Sequence, residues 1–130
     1  MKGILNKNIL IADDDESMLR ALNRVLTGEG AAVTATKWAG DAIEALMRRE
    51  KNIDLVITDL RMPFVTGLTL VYSIRQIFPA LPVIVLTAFG NAELKAECLR
   101  QGAAAFLEKP LDTSQLLAAI EKVFAPVKTA

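Results

Sequence analysis

Ile9-Leu10-Ile11-Ala12 runs directly into Asp13-Asp14-Asp15-Glu16, after which Leu19, Leu22 and Leu26 recur at helical spacing. A short apolar run without polar alternation reads as a strand buried on both faces, and a repeat of three to four residues reads as one stripe of a helix. The stretch is therefore a strand, an acidic turn and a helix.

The same unit returns along the chain. Val33 to Ala35, Leu55 to Ile57, Val83 to Leu86 and Ala104 to Leu107 are further apolar runs, each expected to form a buried strand. Between and after them apolar residues take helical spacing: Ala42, Ile43 and Leu46; Leu70, Val71, Ile74 and Phe78; Leu116, Leu117, Ile120, Val123 and Phe124. A fourth helix, about Ala92 to Gln101, is interrupted by Lys95, Glu97 and Arg100 and should be the most loosely held. Gly28 and Gly30 end the first helix, Gly67 opens the third, Pro79 and Pro82 bracket the turn into the fourth strand, and Gly102 follows the fourth helix. Strands alternating with helices predict an α/β fold, doubly wound, with a five-stranded parallel sheet covered on both faces.

Composition narrows the chemistry. The 130 residues carry 15 Lys plus Arg against 15 Asp plus Glu, no histidine, one cysteine and 52% apolar residues. That suits a single domain with a core over about residues 8–125 and a tail or the start of a linker at 126–130. Balanced charge gives no overall footprint for nucleic acid or an anionic membrane. Without histidine there is no imidazole base or nucleophile, and one cysteine supplies neither a thiolate zinc cage nor an internal disulfide. Cys98 is expected to be a buried small hydrophobe. Neither a signal-peptide core nor an apolar run long enough to span a bilayer is present, so a soluble, cytoplasmic protein is expected.

In an open parallel sheet, ligands bind beyond the carboxyl ends of the strands. The residues there are Asp13, Asp14, Asp15 and Glu16 after the first strand, Asp59 after the third, Thr87 at the end of the fourth and Lys109 after the fifth. Consecutive acids repel unless a cation or hydrogen bonds offset them, and Mg²⁺ needs only one or two carboxylates besides waters and phosphate oxygens. Asp15 and Glu16 also suit a helix N-terminus. Asp59 can react or can close an Asx-turn, Thr87 can meet an anion or simply finish a strand, and Lys109 can pair with phosphate or carboxylate or be solvated. As a set they are the parts of metal-assisted phosphoryl transfer to an aspartate.

Residues 8–124 resemble a receiver domain of the two-component response-regulator family. The likeness is carried by Ile9-Leu10-Ile11-Ala12-Asp13-Asp14-Asp15, by Asp59 with Met62-Pro63 and Gly67, by Leu86-Thr87-Ala88, and by Glu108-Lys109-Pro110. The wording of Leu86 to Gly90 and Phe106 to Pro110 is similar to receivers of nitrogen-regulatory-type transcription activators. The resemblance implies a flavodoxin-like sheet of order 2-1-3-4-5 and a signalling switch rather than an enzyme. Asp59 would accept the phosphoryl group; Asp13 and Asp14, with Asp59 and the backbone carbonyl of Arg61, would hold Mg²⁺. Thr87 would hydrogen-bond the phosphoryl group, Lys109 would ion-pair with it, Phe106 would be the aromatic that turns inward on activation, and the Lys109-Pro110 bond would be cis. A sensor histidine kinase or histidine phosphotransfer protein would supply the missing histidine. The output would go to a separate protein or to an effector domain outside this sequence, with homodimerisation on activation and no direct contact with nucleic acid or membrane.

Some positions depart from the family pattern. Thr66 stands where an acid is common, and Arg61 and Phe89 occupy positions that tune loss of the phosphoryl group without offering a carboxamide or carboxylate to orient water. A long-lived aspartyl phosphate is expected. Trp38, in the turn after the second strand, should pack beside the second helix. Two rival readings are a small Mg²⁺-dependent phosphatase of haloacid dehalogenase type, with Asp13 as nucleophile and Asp15 as acid or base, and a receiver-like binding module that is never phosphorylated. Against the phosphatase stand the lack of a later acidic pair and of a cap segment.

Overall fold

The computed structural model describes residues 3–48, 52–61, 66–88 and 90–125. Met62, Pro63, Phe89 and the 126–130 tail, all singled out above, lie outside the described residues. Strands and helices alternate without exception: β1 (Asn8–Ala12), α1 (Glu16–Gly28), β2 (Ala32–Thr36), α2 (Ala39–Arg48), β3 (Leu55–Thr58), α3 (Gly67–Ile77), β4 (Val83–Thr87), α4 (Ala92–Arg100), β5 (Ala105–Glu108) and α5 (Thr113–Phe124). All strand pairs are parallel, and the sheet order is β2-β1-β3-β4-β5.

Alternation of side chains along the strands divides the core into two layers. Leu10, Ala12, Val56, Val83 and Val85 pack against α2, α3 and α4 through Ala42, Leu46, Leu70, Ile74 and Cys98. On the other face Ile9, Ile11, Leu55, Ile57, Ile84 and Leu86 meet Leu19, Leu22 and Leu26 of α1 and Leu116 and Ile120 of α5. Both faces of β1, β3 and β4 are thus apolar, which is why these strands read as unbroken apolar runs.

The expectation of five buried strands needs correcting at the edges. β2 has no buried residue and β5 only one, Phe106, because each has a strand neighbour on one side alone and less helix above and below it. Helix α4 is held as loosely as expected, with Cys98 its one buried side chain. Burial, and then the Glu97 charge beside it, push the Cys98 thiol above its ordinary pKa, so it serves as packing. Trp38 is 41% exposed, so it packs only partly beside α2, although its carbonyl accepts from Ala42 N at the start of that helix. Among the described residues no helix is long and apolar enough to cross a membrane.

From β1 the chain crosses to β2 on one side and returns to β3 on the other. This reversal opens a crevice at the carboxyl ends of β1 and β3, where Asp13 and Asp59 emerge.

Candidate functional site

Backbone ladders carry both aspartates past the ends of their strands. Asp13 N donates to Thr36 O of β2 at 3.0 Å, and Asp59 N donates to Ala12 O of β1 at 3.0 Å. Both residues are consequently enclosed, Asp13 being 2% and Asp59 5% exposed. Across the crevice Lys109 Nζ donates to Asp13 Oδ2 at 2.7 Å and to Asp59 Oδ2 at 2.9 Å. One ammonium is shared by two buried carboxylates. Burial nevertheless raises the Asp13 pKa, outweighing the Lys109 contact and the Asp15 N–H that lower it. Burial also pulls on the Lys109 ammonium, but the bonds to Asp13 and Asp59 prevail and hold its pKa above the ordinary value.

The acidic run divides its labour. Asp15 is the N-cap of α1, its Oδ1 accepting from Ser17 N at 2.9 Å, Ser17 Oγ at 2.7 Å and Met18 N at 3.4 Å. Glu16 leaves the crevice to pair with Lys37. Asp13 and Asp14 remain, and their carboxylate oxygens lie with one of Asp59 within 4.8 Å of each other. Three carboxylates with oxygens at that spacing, two of them on the Lys109 ammonium, form a hard anionic donor set of the kind a small divalent cation takes. The residues fit Mg²⁺.

Asp59 closes the turn expected of its sequence position and leaves one carboxylate oxygen for the crevice. Oδ1 closes a turn, accepting from Leu60 N at 2.6 Å and Arg61 N at 3.3 Å, while Oδ2 faces Lys109. Thr87 ends β4 fully buried, and Lys109 N donates to its carbonyl at 2.8 Å, which ties the fourth and fifth strand ends together. Phe106 lies opposite Val85 and is 8% exposed. The Lys109-Pro110 bond is cis.

The sequence marks Gly67 as a helix start and as a motif residue after Asp59. In the structure its N–H donates to Leu60 O at 2.9 Å, and a Cβ added there would lie 2.0 Å from Asp59 O and 2.7 Å from Leu60 Cα. The glycine lets α3 press directly against the backbone that carries Asp59. Thr66, the departure from pattern, caps α3 by accepting from Thr69 N at 3.3 Å. No signal in the sequence marks Gly67 for close approach rather than for a turn.

Fold and rim together define a doubly wound, flavodoxin-like α/β domain that gathers three carboxylates and one ammonium at its strand-order reversal. The response regulator receiver domain family matches residues 9–121, and the chain belongs to that family. It is 36% identical over 115 residues to the DNA-binding transcriptional regulator NtrC of Proteus hauseri, which covers 88% of this chain and 24% of the relative. Over 120 residues it is 38% identical to the transcriptional regulatory protein ZraR of Escherichia coli K12, covering 92% of this chain and 27% of that one. The chain thus spans about a quarter of the length of these curated relatives. Among solved structures, a chain of the CheX-CheY-BeF3-Mg+2 complex from Borrelia burgdorferi superposes with a TM-score of 0.88 at 31% identity, covering 94% of this chain and 92% of that one. The non-phosphorylated HemR receiver domain from Leptospira biflexa gives 0.85 at 29% identity, covering 96% and 99%. Receiver domains of two-component response regulators are phosphorylation-dependent signalling switches.

Proposed function

We propose that this chain accepts a phosphoryl group on Asp59 from a histidine kinase or histidine phosphotransfer protein and passes the signal on through the surface of α4, β5 and α5. The carrying observation is the environment of Asp59: a buried carboxylate beside Asp13 and Asp14, with one oxygen held by two backbone N–H groups and the other by Lys109. The chain has no histidine of its own, so the phosphohistidine belongs to the partner.

Asp13, Asp14, Asp59 and the Arg61 carbonyl are the proposed Mg²⁺ ligands. Bound there, the ion offsets the charge of both the carboxylate and the incoming phosphoryl oxygens. Leu60 and Arg61 orient Asp59 by holding Oδ1. Attack by the carboxylate forms the new P–O bond as the donor's P–N bond breaks. Lys109, now bridging Asp13 and Asp59, then pairs with a phosphoryl oxygen, and the Thr87 hydroxyl donates to another. Phe106, buried beside the loosely held α4, links that rearrangement to the output surface, a shift between existing populations.

Residues 8–125 act as one receiver unit, with 126–130 as a tail or the start of a linker to an output domain or a separate output protein. With its balanced charge the unit works without direct nucleic-acid contact, and it homodimerises on activation. The phosphatase alternative would use Asp15 as acid or base, yet that carboxylate is committed to capping α1. Borohydride trapping of the phosphorylated protein followed by peptide mapping tests the assignment. A label on Asp59 supports the receiver reading, whereas a label on Asp13 supports the phosphatase.

A further inference from the structure

Gly90 lies between Thr87, at the end of β4, and Asn91, the N-cap of α4, whose side chain accepts from Leu94 N at 2.8 Å. Its φ is not in the left-handed region, which the structure records only at Gly30 and Gly102 among described glycines. Backbone conformation therefore does not call for glycine here. Space does: a Cβ at this position would stand 2.9 Å from Phe106 Cε1, 3.1 Å from Phe106 Cζ and 3.0 Å from Glu108 Oε1. Two ring atoms inside the ordinary contact distance leave any side chain at position 90 two outcomes. The exposed Glu108 carboxylate can turn aside, so either the buried ring of Phe106 shifts, or the segment carrying Asn91 and the start of α4 moves away.

We infer that Gly90 is a positioning residue whose missing side chain forms the seat for the buried Phe106 ring, and so makes burial of that ring and the placement of the α4 N-terminus one event. The functional consequence rests on the reading of Phe106 and α4 given under Proposed function; the contact itself does not. The ring belongs to the apolar layer that includes Val85, Cys98 and Ala103, and Gly90 brings the segment between β4 and α4 against it. α4 offers little resistance to such a push, since Cys98 is its one buried side chain. A methyl group at position 90 would thus bias the switch without touching Asp13, Asp59 or Lys109.

A double-mutant cycle in thermal unfolding, run without phosphodonor or metal, tests the seat. Gly90→Ala should lower the melting temperature by several degrees when Phe106 is present and have little effect in a Phe106→Ala background, because the ring is gone and the remaining neighbour, the exposed Glu108 carboxylate, can turn aside. The same drop in both backgrounds would overturn the inference, as would no drop in either. If Gly90→Ala alone fails to fold, recovery of folding in the double variant supports the seat and failure of both contradicts it. A second reading uses fluorine NMR of protein labelled with 3-fluorophenylalanine, the Phe106 signal being assigned by Phe106→Leu. That signal should become solvent-exposed or split in Gly90→Ala, and an unchanged signal together with an unchanged α4 amide spectrum would sink the coupling. Neither experiment requires Asp59 to be phosphorylated. A wild type that takes no phosphoryl group would therefore refute the functional reading and leave the seat standing.

Discussion

Lys109 and Asp59 lie 50 residues apart in the chain, yet Lys109 Nζ donates to Asp59 Oδ2 at 2.9 Å. The same ammonium reaches Asp13 Oδ2 at 2.7 Å, so one cation balances two carboxylates whose side chains are 3% and 6% exposed. The side chain of Lys109 is itself only 13% exposed, which removes most of the solvent screening that weakens surface pairs.

Replacing Lys109 with Met should therefore destabilise the protein strongly. Removing one partner of a buried pair costs about 3–5 kcal/mol, because the remaining charges are left uncompensated. Urea unfolding at neutral pH with chelator present should show a loss on that scale, and millimolar Mg²⁺ should restore part of it. Equal stability of variant and wild type would mean that the three groups do not hold one another as the geometry indicates.

Gly67→Ala should damage the site from behind. The new Cβ would meet the Asp59 carbonyl at 2.0 Å and Leu60 Cα at 2.7 Å, and backbone atoms cannot rotate away as a side chain can. A loss of about 1–3 kcal/mol is expected from overpacking, with slower labelling of Asp59 as its carbonyl is displaced. Urea unfolding and the rate of adduct formation with a small phosphodonor check both effects.

Glu97 supplies a pH dependence away from the rim. A hydrogen bond from Gln101, and then the Arg100 charge, lower its pKa below the ordinary 4.5. A depressed folded-state value means that its contribution to α4 is present above 4.5 and is lost as pH falls through the folded midpoint. In a carboxyl-carbon NMR titration Glu97 should titrate below an exposed glutamate, and Gln101→Ala should move its midpoint upward. A midpoint unchanged in the variant would exclude Gln101 as the leading cause.

The aspartyl phosphate should be long-lived. Arg61 is exposed at the turn that holds Asp59, and its side chain offers no carboxamide or carboxylate to orient water. Loss of phosphate after removal of the phosphodonor should be slower in the wild type than in Arg61→Asn or Phe89→Glu. Equal or faster loss from the wild type would refute this.

Much of this was legible because burial on both faces erases polar alternation. Leu55 to Ile57 and Val83 to Leu86 read as core strands for that reason, and their ends located Asp59 and Thr87. An apolar run does not reveal where in the sheet it sits, however, so the exposure of β2 and β5 was not readable. Local rules served where the partner is local, as with Asp15 capping α1. They failed where the partner is remote: the close approach of Gly67 to Asp59 and the place of Phe106 against Gly90 depend on elements meeting in space. The rim itself was found because parallel sheets put their reactive residues at the carboxyl ends of strands, whatever the strand order.

The central claim is that Asp59 is the phosphoryl acceptor. Its most direct test is intact mass after incubation with Mg²⁺ and a small phosphodonor, on wild type and on Asp59→Asn side by side. A single phosphoryl adduct on the wild type and none on the variant is the expected result. The same adduct on both proteins would contradict the account.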